Sequence, residues 1–410
     1  MENHINRILL HINLIPGIGP AVVETLVKNV GIENIGQLYT FGAQEFMQLG
    51  VKQGAAHALA QGLADQKILD KEFEYINRYG IKMVTCFDAS YPSLLKHIHL
   101  PPVILYYQGI FIEEPESTPR LAVVGSRKAG HYCQKVARLL LPSLIDYGFC
   151  IVSGGALGAD TIAHQITLES QGKTVAVIGA GLLNPYPAQN RALFDEIIES
   201  GGALVSPFPL TASAQPGNFP ARNRIISGLS SACLVLQAAE KSGALITASC
   251  ALEQGREVCA VPGPIDDPLS AGCHKILSQG AHIATCVEDI LNALNFQESY
   301  GGAHAQTLKR SKENTGEENA QTTIGATITL KTATKKEVAN PNGKQSRKPE
   351  PVPTTPEEKI VHLCQQPISF DDLLAQLSIE AGALRGLLFD LQLDGKIEQN
   401  FMGLWQKYRD

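Results

Sequence analysis

The sequence contains no C-x-x-C pair, and its nine cysteines are an odd number. Both facts argue against a disulfide framework and against a zinc site with closely spaced thiolate pairs. Cys150, Cys233 and Cys259 sit in or beside apolar runs, as buried free thiols do, so the chain reads as a reduced, cytoplasmic protein. Long hydrophobic runs are missing too. The N-terminal one, residues 8–10, gives way to His11 and Asn13 and is too short for a signal h-region; nothing later approaches a bilayer span, so no membrane partner is expected. Positive charge is scarce: the formal net charge of −6 argues against a globally basic nucleic-acid binder. It leaves room for basic residues gathered in one cleft, because the local field decides phosphate binding.

What is present is ordinary globular sequence, 410 residues of which 44% are hydrophobic and 18% charged, enough for two or three domains. Residues 1–72 read as a module of short helices. Within it, Leu14-Ile15-Pro16-Gly17-Ile18-Gly19-Pro20 ahead of the amphipathic 22–27 resembles the hairpin of a helix-hairpin-helix motif, and 49–54 is a degenerate second copy. Over 73–296 the pattern becomes α/β. Apolar runs at 121–124, 149–152, 175–178, 203–205, 233–236, 258–261 and 282–284 are separated by helix-length segments, which predicts a doubly wound, Rossmann-like parallel sheet. Strand-like runs at 81–85 and 103–107 are expected to extend it. Residues 297–354, with Gly301-Gly302 and Pro351-Val352-Pro353 among scattered Lys, Glu and Thr, have little to bury and read as a flexible linker. Order returns over 355–410: a helix start at Thr355-Pro356-Glu357-Glu358, helical patterns at 359–364, 370–377 and 381–393, then short strand-like pieces at 396–399 and 403–406. Three helices and a hairpin make a winged-helix domain. Its groove-facing helix offers Arg385 and otherwise Gly, Leu and Phe, which suits a protein contact or weak DNA contact better than sequence readout.

The chemistry concentrates in four turns of the central domain. Gly125-Ser126-Arg127-Lys128 follows the run at 121–124; it is no Walker loop, because His131-Tyr132 stand where Lys-Ser/Thr would be needed. Ser153-Gly154-Gly155-Ala156-Leu157-Gly158 follows the next run, and its glycines allow close backbone approach to a phosphate. The third turn, Asn218-Phe219-Pro220-Ala221-Arg222-Asn223-Arg224, leads into helical 225–229, and the fourth, Lys241-Ser242-Gly243-Ala244, opens another helix. Two arginines read as belonging to a helix's first turn oppose its macrodipole at about 0.3–1 kcal/mol each, a sign that a bound polyanion would reverse. Arg127 and Lys241 repeat the arrangement. Phe219 either stacks on a base or staples its own helix.

Other signals lead nowhere. Gly179-Ala180-Gly181 begins a dinucleotide fingerprint, but Asn184 holds the third glycine position, so no nicotinamide cofactor is expected. Asp160 and His164, four apart on one helix face, lack a third ligand and read as a capping carboxylate and a structural histidine, not a metal site. Ser126 and Ser153 lack a recognisable base, so no catalytic residue is assigned.

These turns resemble one family. Val123-Val124-Gly125-Ser126-Arg127, the run from Ser153 to Asp160, the run Phe219-Pro220-Ala221-Arg222-Asn223-Arg224-Ile225-Ile226-Ser227-Gly228-Leu229-Ser230, Lys241 to Ala248, and Val261-Pro262-Gly263 look like the DNA-processing A (DprA/Smf) family. The resemblance covers the whole central domain, and the order helical module, Rossmann-like domain, linker, winged helix fits as well. It implies a bacterial cytoplasmic homodimer that binds single-stranded DNA, protects it and loads the RecA recombinase during natural transformation, with no catalytic activity and no cofactor. The family's strand-binding pocket carries over onto Gly125, Ser126, Arg127, Phe219, Arg222, Asn223 and Arg224, with Lys241 added and Gly154, Gly155 and Gly158 supplied by the second turn. Two departures stand out: Pro216, where relatives often carry a basic residue, and Pro207, where a Glu commonly follows the serine. The alternative is an enzyme resembling the Lonely-guy nucleotide phosphoribohydrolases. Their Pro-Gly-Gly-x-Gly-Thr signature is broken here, since Ser153 precedes Gly154-Gly155 and Ala159-Asp160 follow Gly158.

Overall fold

The computed structural model describes residues 4–112, 117–296 and 355–366, and residues 368–408 in part. The linker expected over 297–354, and Arg385, lie outside the described residues. Two compact units emerge, one spanning 1–301 and the other most of 302–410.

The first unit is built on a nine-stranded sheet: β1 Lys82–Thr85, β2 Ile104–Gly109, β3 Arg120–Val124, β4 Cys150–Ser153, β5 Thr174–Val177, β6 Ala203–Ser206, β7 Ala232–Val235, β8 Glu257–Ala260 and β9 His282–Ile283. Their order is β1-β2-β6-β5-β4-β3-β7-β8-β9. The seven strands from β3 onward run parallel, while β2 joins β6 antiparallel and β1 joins β2 antiparallel. Each run expected from hydrophobicity is a strand, and the first two do extend one edge. Strands β4 to β7 are buried at every position, as expected where helices cover both faces of a parallel sheet.

Alternation along β3 assigns the two layers. Leu121 and Val123 share a core with Leu140, Leu141 and Leu144 of α7 (His131–Asp146) and Ala163 of α8 (Ala159–Glu169). Ala122 and Val124 share the opposite core with Ile225 and Ile226 of α10 (Asn218–Gly228) and Ala248 of α11 (Gly243–Glu253). A one-residue slip would exchange the faces, so the register is fixed by this burial. The N-terminal helices α1 (His4–Leu14), α2 (Pro20–Val30), α3 (Ala43–Gln48), α4 (Gln53–Ala64) and α5 (Gln66–Arg78) do not form a core apart. Ile8, Leu26, Leu59 and Leu69 join Tyr106, Ala176 and Leu204 of the sheet, and Leu210 N donates to Glu72 Oε1 at 2.8 Å across the same boundary. Two hairpins connect these helices, α1 to α2 through Gly17 and α3 to α4 through Gly50, both with φ above +80°.

In the second unit, Thr355 caps the helix Pro356–Leu363 reciprocally with Glu358, a second helix spans Phe370–Leu377, and Ile397–Gln399 pairs antiparallel with Trp405–Lys407. Ile360, Cys364, Leu373, Leu384, Leu388, Leu391, Ile397 and Trp405 make its core. Among the described residues, no helix is long and apolar enough to cross a membrane.

Candidate nucleic-acid interface

Strand β3 pairs with β4 on one side and β7 on the other, so the crossovers leave it in opposite directions. Ligands of open α/β sheets occupy the crevice at such a switch point, beyond the carboxyl ends of the strands. A cleft of about 640 Å³ lies there, and it gathers Gly125, Ser126, Arg127, Phe219, Arg222, Asn223 and Lys241 from the expected set. Gly154, Gly155, Gly158 and Arg224 are not in its lining.

The first turn is shaped by a residue that sequence reasoning missed. Gln237, buried just past β7, accepts from Ser126 N through its carbonyl (2.7 Å) and from Gly130 N through Oε1 (3.1 Å). Its Nε2 donates to Asp267 Oδ2 at 3.0 Å, so the orientation of the amide is fixed on both sides. Ser126 Oγ accepts from Lys128 N at 3.1 Å. With the backbone held in this way, Arg127 and Lys128 are left exposed at the tip. The only sequence signal for Gln237 was a polar residue ending an apolar strand run.

The glycines of the second turn are required by the packing of the protein itself. Gly158 has φ +84°, and a Cβ there would overlap the backbone carbonyls of Ser126 and Arg127; Ala159 N donates to Ser126 O at 3.1 Å, locking the two turns together. A Cβ at Gly154 would come within 2.6 Å of both Arg222 Nη1 and Asp160 Oδ2, and one at Gly155 (φ +63°) within 2.7 Å of the Phe194 ring.

The third turn also departs from expectation. Helix α10 begins at Asn218, so Arg222 and Arg224 lie beyond its first turn and do not confront the macrodipole there. Arg127 and Lys241 are placed differently again, ahead of α7, which begins at His131, and of α11, which begins at Gly243. Arg222 is only 3% exposed. Its Nη1 donates to the carbonyls of Gly154 and Val177, and its Nε to Asn223 Oδ1 at 3.1 Å. Burial pushes this guanidinium down to about 10, against the pull of the Asp160 carboxylate, so it stays cationic at neutral pH. Burial raises the Asp160 carboxyl, with Arg222 and the Ala156 N–H opposing. Arg222 is therefore a buried tie between the second turn, β5 and α10, and it forms part of the cleft floor. Arg224 donates to the carbonyls of His99 (3.0 Å) and Leu100 (2.5 Å), away from the cleft. His164, in α8, is buried against the sheet with Nδ1 2.7 Å from Thr174 Oγ1 of β5.

The exposed cations are thus Arg127, Lys128 and Lys241, and among the described residues no carboxylate pairs with any of them. The Arg127 guanidinium sits 4.8 Å from the centroid of the half-buried Phe219 ring, a cation–π contact. Cations, an aromatic ring and the nearby start of α11 share one concave surface, which can hold an anionic chain bearing planar groups.

Comparison with known proteins places the chain in a family. The family model for DNA recombination-mediator protein A matches residues 82–295, and that for the DprA winged helix domain matches residues 345–400. Protein Smf of Synechocystis sp. is 30% identical over 390 residues, covering 94% of each chain. DNA processing protein DprA of Streptococcus pneumoniae is 39% identical over 232 residues, 57% of this chain and 79% of that one. The solved structure of the Streptococcus pneumoniae protein aligns with TM-score 0.60 at 32% identity, over 70% of this chain and 97% of its own. The chain belongs to the DNA recombination-mediator protein A (DprA/Smf) family, a family of DNA-processing proteins with a Rossmann-like sheet and a C-terminal winged helix.

Proposed function

We propose that this protein binds single-stranded DNA in the cleft at the β3–β7 switch point, protects incoming strands and loads RecA recombinase onto them during natural transformation. It acts as a cytoplasmic homodimer, catalyses no reaction and uses no cofactor or metal. Its working parts are a helical module at 1–72, the DNA-binding domain at 73–296, a linker at 297–354 and the winged helix at 355–410. The observation that carries this reading is the exposed, carboxylate-free trio Arg127, Lys128 and Lys241 beside the Phe219 ring. Phosphates meet the cations, and unpaired bases meet the aromatic and guanidinium planes, which duplex does not offer. Gly125, Ser126, Arg222 and Asn223 form the supporting surface, while Gly154, Gly155, Gly158 and Arg224 hold it in shape.

Fluorescence anisotropy with a labelled oligo-dT strand and the matching duplex, over a salt series, tests the site. Each phosphate neutralised on a single strand contributes about −0.7 to the slope of log K against log salt, so three cations predict a slope of about −2. Wild type is expected to prefer the single strand, and Arg127→Ala to bind at least about tenfold more weakly, the equivalent of one lost charge-assisted contact. Binding indifferent to Arg127 sinks the assignment. Nucleotide turnover by the same preparation would favour the phosphoribohydrolase alternative. RecA filament growth on strands coated with single-strand-binding protein then reads the loading step.

A further inference from the structure

The aromatic part of the cleft does not end at Phe219. The ring of Tyr186 lies 5.9 Å from that of Phe219, tilted by 58°, and Tyr186 is 48% exposed. Phe219 itself is crowded: Arg127 covers it, and a Cβ at Gly179 would stand only 3.1 Å from Phe219 Cδ1. A base reaching Phe219 must displace Arg127 or stack on its guanidinium, whereas Tyr186 offers a ring of its own.

The loop that carries Tyr186 is pinned on both sides. Gly181 N donates to Ala212 O, Leu183 N to Leu210 O (both 2.9 Å), and Asn184 Nδ2 to Thr211 O at 2.7 Å. Asn190 Nδ2 donates to Gly155 O at 2.9 Å and to Thr161 Oγ1 at 2.8 Å. A half-exposed aromatic on an anchored crest contributes little to the core, yet it is preorganised to receive a flat ligand.

We propose that Tyr186 is a second stacking platform, which takes the base next to the one at the Phe219–Arg127 pair on the same single strand. This rests on the single-strand reading of the cleft and deepens it: the site grips two adjacent bases of any identity. Because stacking exchanges no counterions, Tyr186 contributes to affinity without contributing to the salt slope.

The test is anisotropy with oligo-dT across a salt series, for wild type, Arg127→Ala, Tyr186→Phe, Tyr186→Leu and Tyr186→Ala, with thermal melting as a fold control. Tyr186→Ala and Tyr186→Leu are expected to bind on the order of tenfold more weakly with an unchanged salt slope, and Tyr186→Phe like wild type. A 2-aminopurine strand is expected to be quenched by wild type and Tyr186→Phe and less so by Tyr186→Leu. If Arg127→Ala behaves as predicted but folded Tyr186→Leu binds and quenches like wild type, the second platform is overturned and the site stands. If wild type shows no strand binding, or Arg127→Ala no loss, both readings fall together.

Discussion

Two arginines that look alike in sequence do opposite work. Arg127 stands exposed on the turn after β3, whose backbone is fixed by the bonds of Ser126 N and Gly130 N to Gln237, with its guanidinium over the Phe219 ring. Arg222, in α10, faces the same cleft but spends its N–H groups on the carbonyls of Gly154 and Val177 and on Asn223, next to the buried Asp160. One cation is exposed on the cleft; the other holds together the residues that line it. An arginine in a binding motif thus says that positive charge matters there, but burial decides whether it is contact or scaffold.

The sharpest way to break this comparison is Arg222→Ala. Removing Arg222 leaves Asp160 without its buried cationic neighbour and the carbonyls of Gly154 and Val177 without their donor, and such losses cost about 3–5 kcal/mol. Arg127→Ala, an exposed change, is expected to alter stability by no more than about 0.5 kcal/mol. Urea denaturation of both variants checks the contrast. Adding Asp160→Asn to Arg222→Ala is expected to return part of the loss, because the uncompensated buried carboxylate is then gone. If Arg222→Ala unfolds at the wild-type urea midpoint and loses only strand affinity, Arg222 is a contact residue and the comparison collapses.

The interior behind the cleft should also be pH-sensitive. Burial, with Arg222 adding to it, lowers His164 to about 3, well below its ordinary 6.5. The unfolded chain therefore takes up a proton that the folded one refuses as pH falls below 6.5. Stability contributed by neutral His164 is complete above that point and declines toward pH 3, by up to about 1.4 kcal/mol per pH unit. Asp160 acts the other way: its raised pKa makes its ionised form the costly one, so its own contribution improves as pH falls through the acid range. Measured stability between pH 7 and about 5, above the ordinary range of carboxylates, is thus expected to fall for wild type and to flatten in His164→Gln. An identical slope in both would remove His164 as the cause.

The strand core was legible because the six strands β3 to β8 are short, nearly continuous apolar runs, which parallel sheets buried on both faces require; β9, at the edge, is exposed. The candidate cleft was legible to the extent that its turns are local: Gly125 to Lys128, Phe219 and Lys241 all line it. The start of α10 was not, because Pro216, Gly217 and Pro220 look like loop. Pro220 sits third in that helix, where an amide hydrogen would have no intrahelical acceptor, so proline costs nothing there. That misplacement produced a macrodipole argument for Arg222 and Arg224 that the structure does not support. Gln237 and Tyr186 were invisible for a different reason: their roles come from neighbours far away in sequence, Gly130 for one and Phe219 for the other.

The smallest effect, Lys241→Ala, sharpens the rim side of the comparison. Lys241 is exposed and stands two residues before the start of α11, where Ser242 caps the helix by accepting from Ala244 N at 3.3 Å. A cation so close to a helix N-terminus is mildly unfavourable in the free protein, by about 0.3–1 kcal/mol at most. Removing it should leave stability unchanged or slightly raised, visible as an equal or higher urea midpoint. With strand bound, the same charge meets a phosphate, so the variant should lose roughly two- to fivefold in affinity at low salt and flatten the salt slope by about 0.7. A loss of affinity with the slope unchanged would mean that Lys241 shapes the cleft as Arg222 does, and the division between floor and rim would have to be redrawn through α11.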